Sequence, residues 1–239
     1  MLRFLVHLIG ALQFSYSVYY DYFYVHPPHE MSNGSKFGGK FIFLTFWNAI
    51  IQSFFFWLCL LNDIFGSNEI NPKYVPGIRR FKDQLFCTIA FPLSAFVAIT
   101  FWGLYAIDRE LVLPKILDLY FPTWLNHVMH TNILIFTLIE LVCSFRSYPT
   151  KRHGLTVLTS FMLVYLAWTF VIYAKSGEWV YPVMDVLNWP QRMAFFMGLL
   201  FLVQSFYLTG EVLNKLVWGN ELMTLDENKG KHVQKKKAY

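Results

Sequence analysis

Apolar residues run through this chain in long blocks separated by short polar stretches. Six blocks reach the length that a bilayer demands: about 4–20, 41–61, 85–107, 125–145, 155–174 and 193–216. Each holds roughly 17 to 24 residues, which at ~1.5 Å per residue matches a hydrocarbon layer of ~30 Å. The expected fold is all-α: a polytopic membrane bundle of about six transmembrane helices with short loops, forming one helical domain over 1–224. Pro27-Pro28, Gly34, Gly38 and Gly39, Asn71-Pro72 and Pro76-Gly77 punctuate the connections, because such residues interrupt helices and favour turns. Pro92 lies inside the third block, where neighbouring helices can absorb it. The first block follows Arg3 and carries His7 and Gln13. A cleaved signal peptide has the same outline, and the lack of an AxA-like site after the block favours a retained helix. Residues 225–239 are polar and Lys-rich and read as a flexible basic tail.

Basic residues set the orientation. Lys73, Arg79, Arg80, Lys82, Arg146, Lys151, Arg152 and five tail lysines fall in even-numbered loops or the tail; Lys36, Lys40, Arg109, Lys115, Lys175 and Arg192 fall in odd-numbered ones. Both termini are therefore expected in the cytosol. Asn33-Gly34-Ser35, an N-glycosylation acceptor pattern, then falls on the luminal side, where such a pattern can be used. Lys236-Lys237-Ala238-Tyr239 looks like a dilysine retrieval signal, which favours the endoplasmic reticulum, with the plasma membrane as the alternative.

Composition agrees with a membrane protein. The chain is 56% hydrophobic and only 15% charged, whereas soluble domains carry about a quarter charged residues. The net charge of +5 forms no basic stripe, which excludes a nucleic-acid footprint and leaves anionic lipid headgroups as the natural counterpart. Cys59, Cys87 and Cys143 lie in or beside apolar blocks without a CxxC or metal-site pattern, and read as small buried hydrophobes. No metal or organic cofactor is indicated, and protein partners are not legible.

Within the spans, polar residues are few enough to compare by depth. Thr45 lies about four residues into the second block and His130 about five into the fourth, both from the same side, so at ~1.5 Å per residue they share one layer. A hydroxyl beside an imidazole is a possible nucleophile and base. A membrane Thr also commonly bonds its own helix, and a membrane His can simply bridge two helices. Asn126 lies one turn before His130 and is placed to orient it or to bind an oxyanion; it could equally cap the helix. His127 and His130 alone do not make a zinc site. Asp108 could polarise a histidine or be a solvated helix end. Asn48, one turn deeper than Thr45, could shape a pocket. Glu140 is ~15 Å deeper than His130 and too far for direct chemistry. No GxSxG elbow, P-loop, HExxH or dinucleotide fingerprint occurs.

Several stretches together resemble the family of androgen-induced and androgen-dependent TFPI-regulating proteins: Phe43-Leu44-Thr45-Phe46, Phe101-Trp102, Tyr105 to Glu110, Trp124 to Thr131, Trp179 to Pro182 and Gly210 to Asn214. The resemblance spans the chain except its tail. It implies a multi-spanning threonine hydrolase, free of cofactor, that takes a lipid ester from the bilayer. The implied reaction splits fatty acid esters of hydroxy fatty acids, with the family threonine at Thr45 and the family histidine at His130. The alternatives are a membrane transporter, which more polar residues through the full depth or a paired broken-helix pattern would favour, and a non-enzymatic regulator; a Thr and a His at one depth exclude neither. A membrane-embedded regulatory protein would favour small-residue faces over these bulky Phe and Leu spans.

Overall fold

The computed structural model describes residues 1–27 and 37–237, with side chains as far as Leu225. All regular structure among them is helical. Helix α1 spans Leu2–Tyr24 and α2 spans Leu44–Phe65. Helices α3 (Gly77–Ile107), α4 (Thr123–Cys143) and α5 (Lys151–Ser176) follow, and α6 starts at Trp189. Five of these, α2 to α6, are long and apolar enough to cross a membrane, and α1 adds a sixth helix of 23 residues. The protein is an integral, multi-pass membrane bundle.

Helix α1 buries His7, Gly10, Ala11, Phe14, Ser17 and Asp21. These recur every three to four residues and so form one helical face. That face lies against α2 so closely that a Cβ on Gly10 would come within 2.7 Å of the Phe56 ring. The core beyond is aromatic: Phe14 meets Phe56 with ring centroids 5.6 Å apart, and Phe55 meets Phe86 at 5.4 Å. These rings are bulky and need no polar partner, which suits an interior packed between helices in lipid. Helix α3 is the most enclosed of the candidate spans and α6 the least.

Two helices widen locally into π turns, α3 at Phe86–Ala90 and α4 at Val128–Asn132. Pro92 follows the first, where a ring without an N–H disturbs the preceding turn. The second contains His130; such bulges often mark functional positions.

The structure moves two boundaries. Helix α3 begins at Gly77 rather than near Leu85, because Arg79 and Lys82 belong to its buried face instead of to a loop. Hydropathy alone excludes those charges from a span, but Asp83 pairs with both, at 3.5 Å and 2.8 Å. Arg79, Lys82 and Arg146 are therefore interior groups and not headgroup contacts. Helix α6 begins at Trp189 and its backbone stays helical to Lys237, with a break at Trp218 (φ −118°, ψ 18°). The sequence pattern ends the helical domain at residue 224; a Lys-rich stretch nevertheless sustains helix well. The Asn33 acceptor pattern and the side chains of Lys236 and Lys237 lie outside the described residues.

Candidate active site

The chain enters α2 through a tight 3-10 turn, Gly39–Ile42, for which Gly38 and Gly39 adopt positive φ of 91° and 52°. Thr45 is thus the second residue of α2, half-buried at one end of the bundle. Two tyrosines hold this entry. The Leu44 N–H donates to the Tyr165 hydroxyl at 3.0 Å and to the Tyr181 hydroxyl at 3.1 Å. Tyr165 in turn donates to the Ile42 carbonyl at 2.9 Å. The first N–H groups of a helix lack intrahelical acceptors, so side-chain capture of this kind fixes where the helix begins.

Facing Thr45 is His130, buried in the π turn of α4. The Thr45 Oγ1 and His130 Nε2 atoms are 3.2 Å apart. The other ring nitrogen, Nδ1, lies 3.0 Å from the Asn126 carbonyl oxygen. A carbonyl only accepts, so Nδ1 carries the hydrogen and Nε2 presents a lone pair to the Thr45 hydroxyl. Phe101 of α3 stacks on the imidazole, with centroids 3.6 Å apart and planes 15° from parallel. Orientation and tautomer are thereby both set without a carboxylate.

Two cavities meet at Thr45. The larger, about 570 Å³, is also lined by His130, Phe101 and Tyr181, and by the polar groups Asp21, His26 and Lys40. The smaller, about 210 Å³, runs among Met162, Leu166, Phe196, Met197 and Leu200 and is almost wholly apolar. Tyr181 lies outside the spans. Burial pushes its phenol above the ordinary range, and contacts with Tyr165, the Leu44 N–H and Thr45 offset part of that shift.

The other residues singled out from sequence fall elsewhere. Asn126 adjoins His130 through its backbone carbonyl, while its buried side-chain oxygen has no partner among the described residues. Asp108 does not reach either histidine; it is exposed and accepts the Glu110 N–H at 3.0 Å, starting a 3-10 turn. Asn48 is buried and accepts from Gln52 at 3.0 Å, away from both cavity walls. His127 stacks on Trp102 and bonds Thr131 on the outer side of α4. Sequence reasoning missed Phe101, Tyr165 and Tyr181 as parts of the site. Phe101 and Tyr181 lie in stretches that carry the family resemblance, which marks the positions but not their roles.

A second polar cluster gathers near the opposite end of α2. His7 bonds Asp63 through Nδ1 at 2.6 Å and Glu140 through Nε2 at 2.7 Å. Glu140 also pairs with Arg146 at 2.7 Å and faces Lys82 at 3.9 Å. Cys59 completes a trio with His7 and Glu140 whose ligand atoms lie within 4.8 Å of one another. Such a trio could in principle bind a metal. Both His7 nitrogens and the Glu140 carboxylate are already engaged, however, and two cations stand beside it. This donor set fits an ion-pair network and does not fit a metal centre.

The class defined by these features is a polytopic helical membrane protein with a threonine facing a buried histidine where two cavities meet. Within that class the chain belongs to the FAR-17a/AIG1-like protein family, whose model matches residues 2–215. It is 36% identical to the human (Homo sapiens) androgen-induced gene 1 protein over 208 residues, 84% of this chain and 87% of the relative. It is 41% identical to the androgen-dependent TFPI-regulating protein of Mus musculus over 182 residues, 76% of this chain and 79% of the relative. A membrane protein of Schizosaccharomyces pombe shares 24% identity over 164 residues, 67% of this chain and 69% of the relative. No solved structure matches the chain.

Proposed function

We propose that the protein is an intramembrane threonine hydrolase that cleaves fatty acid esters of hydroxy fatty acids. The observation that carries this reading is the aligned relay from the Asn126 carbonyl through His130 to the Thr45 hydroxyl, at 3.0 Å and 3.2 Å. His130 Nε2 takes the Thr45 proton as Oγ1 attacks the ester carbonyl carbon. The tetrahedral intermediate collapses, the carbon–oxygen bond to the hydroxy acid breaks, and His130 returns the proton to the departing alkoxide. Water activated by the same nitrogen then hydrolyses the acyl-Thr45 ester, releasing the fatty acid and restoring the hydroxyl. Every step is a proton transfer or acyl transfer, so the chain's own groups suffice.

Two cavities meeting at one hydroxyl suit an ester with two long arms. The apolar cavity takes the acyl chain. The larger cavity, with Lys40, His26 and Asp21 near its wall, takes the hydroxy acid and admits water. Substrate arrives from the bilayer, and membrane lipids surround the bundle. The excess of basic residues in the even-numbered loops and the tail favours a luminal Thr45 end and cytosolic termini. The dilysine pattern favours the endoplasmic reticulum.

The test uses the purified full chain in detergent with a branched ester of a hydroxy fatty acid. T45A is expected to lose turnover by about 10⁴-fold or more, and H130A by about 10²–10⁴-fold. Equal melting temperatures establish that the variants are folded. Turnover retained in both variants sinks the site.

A further inference from the structure

An acyl transfer at Thr45 needs a donor for the oxyanion that forms as the hydroxyl attacks, since stabilising that charge is usually the largest catalytic contribution. Among the hydrogens around the α2 entry, those of the Leu44 N–H and the Tyr165 hydroxyl are committed. The Leu44 N–H is shared between Tyr165 and Tyr181. Tyr165 gives its hydrogen to the Ile42 carbonyl at 2.9 Å. With that hydrogen spent, the Tyr181 hydroxyl is left to donate either to Tyr165, where 3.3 Å is long for an O–H···O bond, or to Thr45, which it also meets.

From this arrangement we infer that Tyr181 is the oxyanion donor, its hydroxyl turning from its resting acceptor to the developing negative oxygen on the substrate carbonyl. The inference rests on the threonine-hydrolase reading above. Tyr181 lines both cavities, as Thr45 does, so it stands where the carbonyl between two substrate arms must lie. The Leu44 N–H donates into the phenol oxygen, which holds the ring and strengthens the outward O–H as a donor. Burial keeps the phenol protonated at neutral pH, as a donor requires. Thr45 is the second residue of α2, so the positive end of that helix dipole favours the same charge.

The experiment compares wild type, T45A, Y181F and a chain with 3,5-difluorotyrosine at position 181, all full length in lipid nanodiscs. It reads turnover of the branched ester, affinity for a trifluoromethyl ketone bearing the same acyl chain, and affinity for the free fatty acid. The ketone forms an oxyanion on Thr45; the fatty acid does not. Y181F is expected to lower kcat by about 10²–10³-fold with little change in KM. It should weaken the ketone by a comparable factor and leave fatty acid binding unchanged. A structural role would instead move KM, fatty acid affinity and melting temperature together. The difluorotyrosine chain should retain turnover and show an alkaline limb at lower pH than wild type, because fluorine lowers the phenol pKa. If Y181F does not fold, that shift decides the matter, and an unmoved limb overturns the assignment. Y181F activity within about threefold of wild type beside a dead T45A overturns the Tyr181 role and leaves the hydrolase reading standing. A wild type inert towards all such esters removes both.

Discussion

The two ends of this bundle bury polar groups in opposite ways. At the Thr45 end the polar groups are few and uncharged at their centre, a hydroxyl facing an imidazole lone pair across 3.2 Å, with two cavities beside them. At the other end Arg3, His7, Asp63, Lys82, Glu140 and Arg146 draw together from four parts of the chain. There His7 holds both carboxylates, and Arg146 lies 3.5 Å from the centroid of the Phe86 ring. Unpaired charge is costly in lipid, so a network of opposite charges ties helices together and has little freedom left for chemistry. An imidazole with a free lone pair beside empty volume has that freedom. Burial and rarity draw attention to both ends; partner count and space tell them apart.

The largest effect separating the ends is expected at Glu140. E140Q removes the carboxylate that faces His7, Arg146 and Lys82; His7 keeps Asp63 and Lys82 keeps Asp83, but the buried Arg146 loses its ion-pair partner. Breaking one member of such a network costs about 3–5 kcal/mol. Unfolding followed in mixed micelles should show a loss of this size in E140Q, while T45A, half-buried and at a helix start, stays close to wild type. Equal stability of E140Q and wild type would mean that the charged end is not a clamp.

A smaller effect is expected at Cys59, where the ion-pair reading and a metal reading diverge. The Cys59 thiol lies 3.9 Å from the Glu140 carboxylate, at the long edge of a weak sulfur hydrogen bond. C59A should cost about 1 kcal/mol through lost packing and leave ester turnover intact. A chelator should leave both turnover and melting temperature unchanged. A melting temperature that falls with chelator in wild type and not in C59A would instead establish a bound metal at the His7–Cys59–Glu140 trio.

Much of the architecture was legible in the apolar blocks, because lipid demands length and hydropathy that few other environments do. The start of α3 was not, since Arg79, Lys82 and Asp83 read as loop charges until their pairing is seen. At the candidate site, counting residues from a common surface brought Thr45 and His130 to one depth. What sequence could not supply was the orienting group. Asn126 stood out for its side chain, yet it is its backbone carbonyl that meets His130, and a carbonyl has no sequence signature. Tyr181 comes from a loop far along the chain, and only the tertiary fold brings it to Leu44. His7 and Glu140 are similarly remote in sequence, so their pairing left no spacing to read.

The smallest effect is expected at Asp108. A carboxylate behind a catalytic histidine would hold the imidazole and stabilise its protonated form, and its loss would lower turnover by orders of magnitude. Here the Asn126 carbonyl already occupies the His130 Nδ1 position, and Asp108 is exposed at the end of α3, caught by its own Glu110 N–H. D108N keeps an oxygen to accept that N–H, so stability should change by less than about 0.5 kcal/mol, the usual range for an exposed site. Turnover should stay within about threefold of wild type. A loss approaching that of H130A would mean that α3 and α4 rearrange when substrate binds, bringing a carboxylate to a histidine that at rest is oriented by a backbone carbonyl.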